Sequence, residues 1–504
     1  MFLLAAASGW LNTWLTPLWL IGLGALLGLV LLLIAWGITA IFSRSGAALI
    51  PEIVTEGPLF PIFVVVAAAG LFGVAGWLLI RDRAEIISSL ARLPSVGEQS
   101  FSVSVPAALD EMTEPEPVEV QVEFRGDELQ RVEIQSNESL ALEWPTADES
   151  APALSIQVMG GDETAIWTPS NDKVNPLAGE TFASLVVRNQ GTENAQVKLR
   201  VVTAPQHPEV KTIFITAVGV AAIFLSYMVL RWLFPKVSAV AVTTAKSEMA
   251  QPLYFILVML GLAILFIFMW IPYHTFGEDI KVLKDTGLTL ILVFCILQAV
   301  WGASESVAEE IEGRTALTLL SKPIGRRQFV FGKFLGIAWT SLTLFVILGM
   351  FLLVVVGYKP IYDARETSAT SPIWQVCHLE IVQTVPGLVL AFLETLVFIA
   401  ISVAISTRLP LLANIVICFA IYALGHLTPL IVQSSIGKLE TVAFIGNLIA
   451  LILPVLDHFN IQAAVAAGVE VPTTYLVAAA AYCVLYCTIV LLLALVLFED
   501  RDLA

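Results

Sequence analysis

The sequence predicts a polytopic α-helical membrane protein of about nine transmembrane helices with an inserted all-β, sandwich-like soluble domain. Three observations lead there. Apolar residues make up 58% of the 504-residue chain and charged residues only 13%, and mean hydropathy is +0.86, so the chain has too little charge to cover itself in water. Apolar runs long enough to cross a bilayer recur along it. Between Ala84 and Val210 those runs stop, and there the chain places 21 of its 42 acidic residues but only 7 of its 26 basic ones.

The runs lie near Pro17–Phe42, Leu59–Ile80, Ile213–Phe234, Leu253–Ile271, Gly287–Ala303, Phe334–Val356, Pro386–Ser406, Leu411–Val432 and Tyr475–Phe498. Each is close to the roughly 20 residues that cross about 30 Å of hydrocarbon. No Lys or Arg precedes the first run, which is also longer than the apolar core of a signal peptide, so it is expected to stay in the mature protein. Cys295, Cys418, Cys483 and Cys487 fall inside spans and Cys377 is expected in a loop; all five read as small apolar filler, with no CxxC metal motif. Val442–Leu456, interrupted by Gly446 and Asn447, is short for a crossing, and a re-entrant region is expected over 433–473.

The spans divide the chain into two N-terminal helices (1–83), the acidic domain (84–210), a third helix (211–236) and a six-span remainder (237–504). Within 84–210, "SFSVSVPA", "VEVQVEF", "LSIQV", "TAIWTP" and "SLVVRNQGTENAQVKLRVV" alternate apolar and polar residues with period two, the signature of short antiparallel strands. Gly191-Thr192-Glu193-Asn194 is expected to close a hairpin. The acidity of this segment argues against nucleic acid as a partner.

Basic residues flanking the spans set the orientation. Arg44, Arg231, Lys236, Lys322, Arg326, Arg327, Lys333, Arg408 and Arg501 fall on one side if the spans alternate. That side is expected to be cytoplasmic and the acidic domain extracytoplasmic, in a cell (inner, cytoplasmic) membrane. Arg81 and Arg83, and the outer-loop positions expected for Lys281, Lys284, Lys359 and Arg365, run against this count.

Two places in the membrane part carry unexpected charge. Glu394 sits near the middle of an apolar span, where a carboxylate costs about 2.5–3.5 kcal/mol on insertion scales. Counting at about 1.5 Å per residue puts His426 of the next span at a similar depth, within reach for pairing. The other place is "EEIEGRTALTLLSKPIGRRQF", between two spans. Glu305, Glu309 and Glu312 recur on one helical face, with Val307 and Ile311 opposite, as in an interfacial amphipathic helix. Pro323 ends any helical continuation. No phosphate-binding GxxxxGK[ST] loop, HExxH or GxSxG occurs, so no catalytic residue is expected in this chain.

The ordered series Glu309-Glu310, Gly313-Arg314-Thr315, Leu319-Leu320-Ser321, Pro323-Ile324, Arg326 and Phe331-Gly332-Lys333 resembles the "EE..GT...LLS.PI.R..F..GK" signature of permease subunits of type-2 ATP-binding-cassette (ABC-2) exporters. Arg314, inserted between Gly313 and Thr315, is its departure from that pattern. "VTTAKSEMAQPLYFIL" looks like the elbow helix and first span of such a permease, and "ILPVLDHFNIQ" resembles the segment before the last span, so the resemblance covers about Val237–Ala504. It implies that six spans form half of a translocation pathway, with a second permease copy or homologue as the other half. It also implies a separate cytoplasmic ATPase, which carries the ATP and Mg, so no cofactor belongs to this chain. The coupling segment would be 304–333, with Glu305, Glu309, Glu310, Glu312, Gly313, Arg314, Thr315, Leu319, Leu320, Pro323, Arg326 and Lys333 as its residues. Two alternatives stay open: an ATPase-tethered membrane scaffold whose acidic domain binds a partner protein, and an ion-coupled carrier using Glu394. Membrane lipids are partners in every case, and the substrate is not legible.

Overall fold

The computed structural model describes residues 2–42, 57–107, 117–144, 154–168, 181–271, 278–309, 324–433, 444 and 453–499. The chain forms two compact units, Arg81–Lys211 and the remainder.

In the smaller unit, helix α3 (Arg83–Arg92) precedes eight strands. They are β1 (Glu98–Val105), β2 (Val118–Arg125), β3 (Leu129–Ser136), β4 (Leu140–Trp144), β5 (Leu154–Val158), β6 (Gly161–Trp167), β7 (Thr181–Asn189) and β8 (Ala195–Thr203). Two four-stranded antiparallel sheets result, ordered β1-β8-β3-β6 and β2-β7-β4-β5. The period-two pattern explains the sandwich: Val120, Val122 and Phe124 of β2 and Val197, Leu199 and Val201 of β8 all face one apolar core. Trp144 is fully buried there, its ring 5.5 Å from Phe124, 5.9 Å from Phe182 and 6.2 Å from Trp167. Arg92 of α3 holds the buried Glu128 through a two-pronged ion pair at 2.8 and 2.7 Å.

The expected hairpin at Gly191–Asn194 does not form: β7 pairs with β2 and β4, and β8 pairs with β1 and β3. The turn instead carries the chain from one sheet to the other. Asn189, fully buried, makes that corner by accepting from the Gly191 amide (2.8 Å) and donating to the Glu193 carbonyl (2.7 Å). An alternating sequence fixes which side chains point inward but does not choose the neighbouring strand. Because its core is self-contained, Arg81–Lys211 expressed alone is expected to give a β-type far-UV circular dichroism spectrum with a cooperative thermal transition. A helical or random spectrum would overturn that expectation.

The larger unit holds α1 (Phe2–Phe42), α2 (Phe60–Leu79), α4 (Lys211–Leu233), α5 (Pro235–Met249), α6 (Pro252–Trp270), α7 (Asp279–Ala303), α8 (Arg326–Glu366), α9 (Trp374–Ser406), α10 (Leu411–Gln433), α11 (Gln462–Ala466) and α12 (Thr473–Glu499). Among the described residues, eight helices have the length and apolarity to cross a membrane, and α10 adds a shorter apolar stretch over Leu411–Leu427. The apolar windows of α8 and α9 are 67% buried, those of α2, α4 and α6 only 28%. So α8 and α9 form the centre and the others the lipid-facing rim. On the rim, α1 and α2 cross at Gly22 and Gly73, where an added Cβ on Gly22 would come within 2.6 Å of the Ala69 carbonyl oxygen.

Several helices outrun their apolar windows. Cys377, expected in a loop, is fully buried inside α9, which starts well before Pro386. Proline is tolerated within a membrane helix where neighbouring groups satisfy the backbone it frees. Lys281 and Lys284 lie in α7, and Lys359 and Arg365 in α8, rather than in loops. Helical backbone continues past the last apolar residue because these charges find partners. Of the 433–473 region, the short helices Leu456–His458 and α11 are described, and most of Val442–Leu456 lies outside the described residues.

Candidate functional site

At its C-terminal end α7 does not stop but widens into a π-helix over Ser304–Glu309. Such single turns leave the regular hydrogen-bond ladder and frequently mark functional positions. Glu305 accepts from the Trp301 indole at 2.7 Å, and Val307 is buried. Of the expected coupling residues, Glu310, Glu312, Gly313, Arg314, Thr315, Leu319, Leu320 and Pro323 lie outside the described residues, as does the side chain of Glu309. The segment re-enters at α8. There Arg326 donates to the Glu499 carbonyl at the end of α12 (2.8 Å) and lies over the Phe498 ring. Lys333, one of the basic residues flanking the spans, is buried, with its ammonium 5.4 Å from the Phe329 ring centroid.

α5 packs along α8, with Gly332 and Gly336 admitting Val240 and Thr244. From its last turn the buried Glu248 reaches α7, where Gln298 donates to it at 3.4 Å. A Cβ on Gly302 would stand 2.5 Å from the Glu248 carboxylate, so the glycine makes room for it.

Asn414, in the first turn of α10 and fully buried, faces three hydroxyls: Ser304 (2.7 Å) below α7, and Ser402 (2.7 Å) and Ser406 (2.9 Å) on α9. Cys418 donates to its carbonyl oxygen at 3.2 Å. Three helix ends thus meet on one amide. Deeper in the membrane, Glu394 of α9 and His426 of α10 are 3.0 Å apart, with the Tyr422 ring 4.6 Å from the imidazole. Tyr422 also closes one end of an apolar groove of about 180 Å³ between α7 and α10, lined by Val293, Leu297, Ile415 and Phe419.

The opposite end of α7 is held by ion pairs. Lys284 of α7, fully buried, reaches Glu380 of α9 at 2.5 Å. Lys359 of α8, also buried, meets Asp363 (3.2 Å), Asp279 (3.8 Å) and the Ile271 carbonyl (3.1 Å). Among the described residues no three His, Cys, Asp or Glu come together as a metal site.

The family model described as ABC-2 family transporter protein matches residues 24–503. The chain belongs to that family. For an ABC-2 family protein the span of the match is informative, since it takes in the N-terminal helices and the β unit as well as the six-span part to which the motif resemblance was confined. No curated protein matches the chain.

Sequence reasoning found Glu394 and His426 because a carboxylate within an apolar run stands out. It missed Asn414, Glu248 and Gln298. For Asn414 and Gln298 the available signal was the same in kind, a polar residue inside an apolar run such as "LLANIVICFA", but an uncharged one, whereas Glu248 sits in the mixed stretch "TTAKSEMAQP", where a carboxylate does not stand out.

Proposed function

We propose that this chain is the membrane-spanning permease subunit of an ATP-driven exporter, forming half of a translocation pathway and coupling to a separate cytoplasmic ATPase that carries ATP and Mg. Membership of the ABC-2 family carries the reading. The geometry supports it. The stretch with the family signature joins α7 to α8, and α7 and α8 are packed against α9, so a displacement there reaches the centre of the bundle. The apolar face of α10, with Leu412, Val416 and Phe419 exposed beside the α7 groove, suits a second permease copy or homologue.

The proposed orientation, with 84–210 extracytoplasmic and the coupling segment 304–333 inside the cell, rests on the larger basic cluster and leaves Arg81, Arg83, Lys281, Lys284, Lys359 and Arg365 against the count. Lys281 pairs with Glu278, Lys284 with Glu380, Lys359 with Asp363, and Arg365 lies over the Trp10 ring. These pairings do not remove the four from the count, which is of Lys and Arg and not of net charge; the larger basic cluster at the opposite ends of the spans decides it.

The test is co-purification in mild detergent. The parent chain is expected to bring down an ATPase, and Glu309→Lys with Glu310→Lys to weaken that association about ten-fold, because opposite-sign contacts become like-charge repulsion. Glu114→Lys with Glu116→Lys, equal in charge but in the β unit, should leave it unchanged. An unaltered amount of ATPase with the Glu309/Glu310 variant, at low and moderate salt, would defeat the assignment of this stretch.

A further inference from the structure

We propose that Asn414 is a positioning residue that carries displacement of the coupling stretch into α9 and α10 by exchanging hydrogen-bond partners. The inference rests on the coupling role proposed for 304–333. Its basis is a mismatch in number. A carboxamide has two N–H donors, yet three serine hydroxyl oxygens stand 2.7–2.9 Å from the Asn414 nitrogen. Two are served at a time and the third waits at bonding distance.

The orientation of the amide is secured from its other side. Cys418, one turn on in α10, donates to Oδ1, so the NH₂ group faces the serines. Ser304 already donates its own proton to the Val300 carbonyl at 2.8 Å, which leaves its oxygen to accept from Asn414. Ser402 and Ser406 lie four residues apart on one face of α9, so both flank the amide from the same wall. Ser304 comes from the other wall, at the first residue of the π-helix that leads into the coupling stretch.

Releasing a buried polar contact ordinarily leaves an unsatisfied donor, which is costly. Here it does not. If Ser304 withdraws with the π-turn, both amide protons pass to Ser402 and Ser406, and no donor is orphaned. The two arrangements are close in energy, which is what a switching element needs. A second observation agrees: Ser306, in the same π-turn and buried, has no hydrogen-bond partner for its hydroxyl among the described residues. The turn therefore holds one group that is satisfied and one that is not, and a shift of the π-turn can reverse their roles.

The test is amide hydrogen exchange over 304–309 in the detergent-solubilised chain. Ser304→Ala removes the contact from the π-turn and is expected to speed exchange there by about five-fold, the equivalent of one net hydrogen bond. Ser402→Ala with Ser406→Ala removes the competing acceptors, leaves Ser304 as the sole hydroxyl partner, and is expected to slow exchange by a similar factor. Opposite signs support partner exchange. Faster exchange in both variants would mean a cluster that only packs, and would overturn the proposal. Unchanged exchange in α2 serves as the control for folding. This arm needs no ATPase, so a failure of partner exchange is read separately from a failure of co-purification, which would overturn the coupling role on which the inference rests.

A second arm adds the co-purified ATPase and a non-hydrolysable ATP analogue. Nucleotide should then alter exchange at 304–309 and 402–418 together in the parent. In Asn414→Leu the change at 402–418 should be lost while that at 304–309 remains. A nucleotide response that still reaches 402–418 in the Leu variant would overturn the proposal.

Discussion

Glu380→Ala is expected to destabilise the membrane unit by about 3–5 kcal/mol, the usual cost of leaving one partner of a buried ion pair without its counter-charge. Lys284 is fully buried and its ammonium lies 2.5 Å from Glu380; among the described residues its other polar contact is the Gln383 side-chain oxygen at 3.5 Å. Truncating Glu380 leaves a cation held by one long, neutral hydrogen bond in a low-dielectric wall. The double variant Lys284→Met with Glu380→Leu should recover most of the loss, because the desolvation cost of the charge disappears with it. Thermal unfolding in detergent, followed by the tryptophan signal, measures both. The neighbouring pair Lys281–Glu278 is the contrast: its side chains are 45% and 61% exposed, and Glu278→Ala should cost no more than about 1 kcal/mol. A Glu380→Ala protein as stable as the parent would mean that water reaches Lys284.

What the sequence made legible, and what it hid, separates along local and non-local lines. Span positions were readable because bilayer thickness sets the length of an apolar run and helix geometry sets the rise. The same 1.5 Å rise per residue put Glu394 and His426 at similar depth, and the structure brings them within hydrogen-bond distance. Span ends were not readable. Lys284 and Lys359 end the apolar runs yet continue the helices, because Glu380, Asp279 and Asp363 neutralise them, and partners distant in sequence leave no local trace. The β strands followed from alternation, but the β7–β8 connection did not. A period of two is equally consistent with a hairpin and with a step between sheets, and Asn189 decides for the step. At the α7–α8 connection, the charged stretch was conspicuous in sequence, whereas the amide that gathers three helix ends is one neutral residue among apolar ones. Its meaning is set by Ser304 and Ser402, far apart in sequence.

Replacing Glu394 separates a structural pair from a working one. Glu394→Ala should cost about 2–4 kcal/mol, combining the cavity left by the side chain with the lost bond to His426. Glu394→Leu restores the volume. Since apolar replacement of both members of a buried polar pair is often neutral or stabilising, Glu394→Leu with His426→Leu should unfold close to the parent's temperature, and Glu394→Leu alone should cost only about 1 kcal/mol for the lost bond, because the imidazole stays partly exposed. Stability alone therefore gives no reason to keep a carboxylate at this depth, where it is 1% exposed and costly to insert. The pair also adjoins the apolar groove between α7 and α10: the His426 and Tyr422 rings meet edge to face, and Tyr422 lines that groove. The expected outcome is thus a stable Glu394→Leu protein that still binds its ATPase but has lost ATP-driven transport in reconstituted vesicles, with Glu394→Gln retaining part of it through a hydrogen bond to the imidazole. Transport that is driven by an imposed proton or cation gradient without ATP, and vanishes with Glu394, would instead favour the ion-coupled carrier. A Leu variant equal to the parent in both stability and transport would leave the pair with neither role, and the α7–α10 groove would have to be reconsidered as lipid-facing surface.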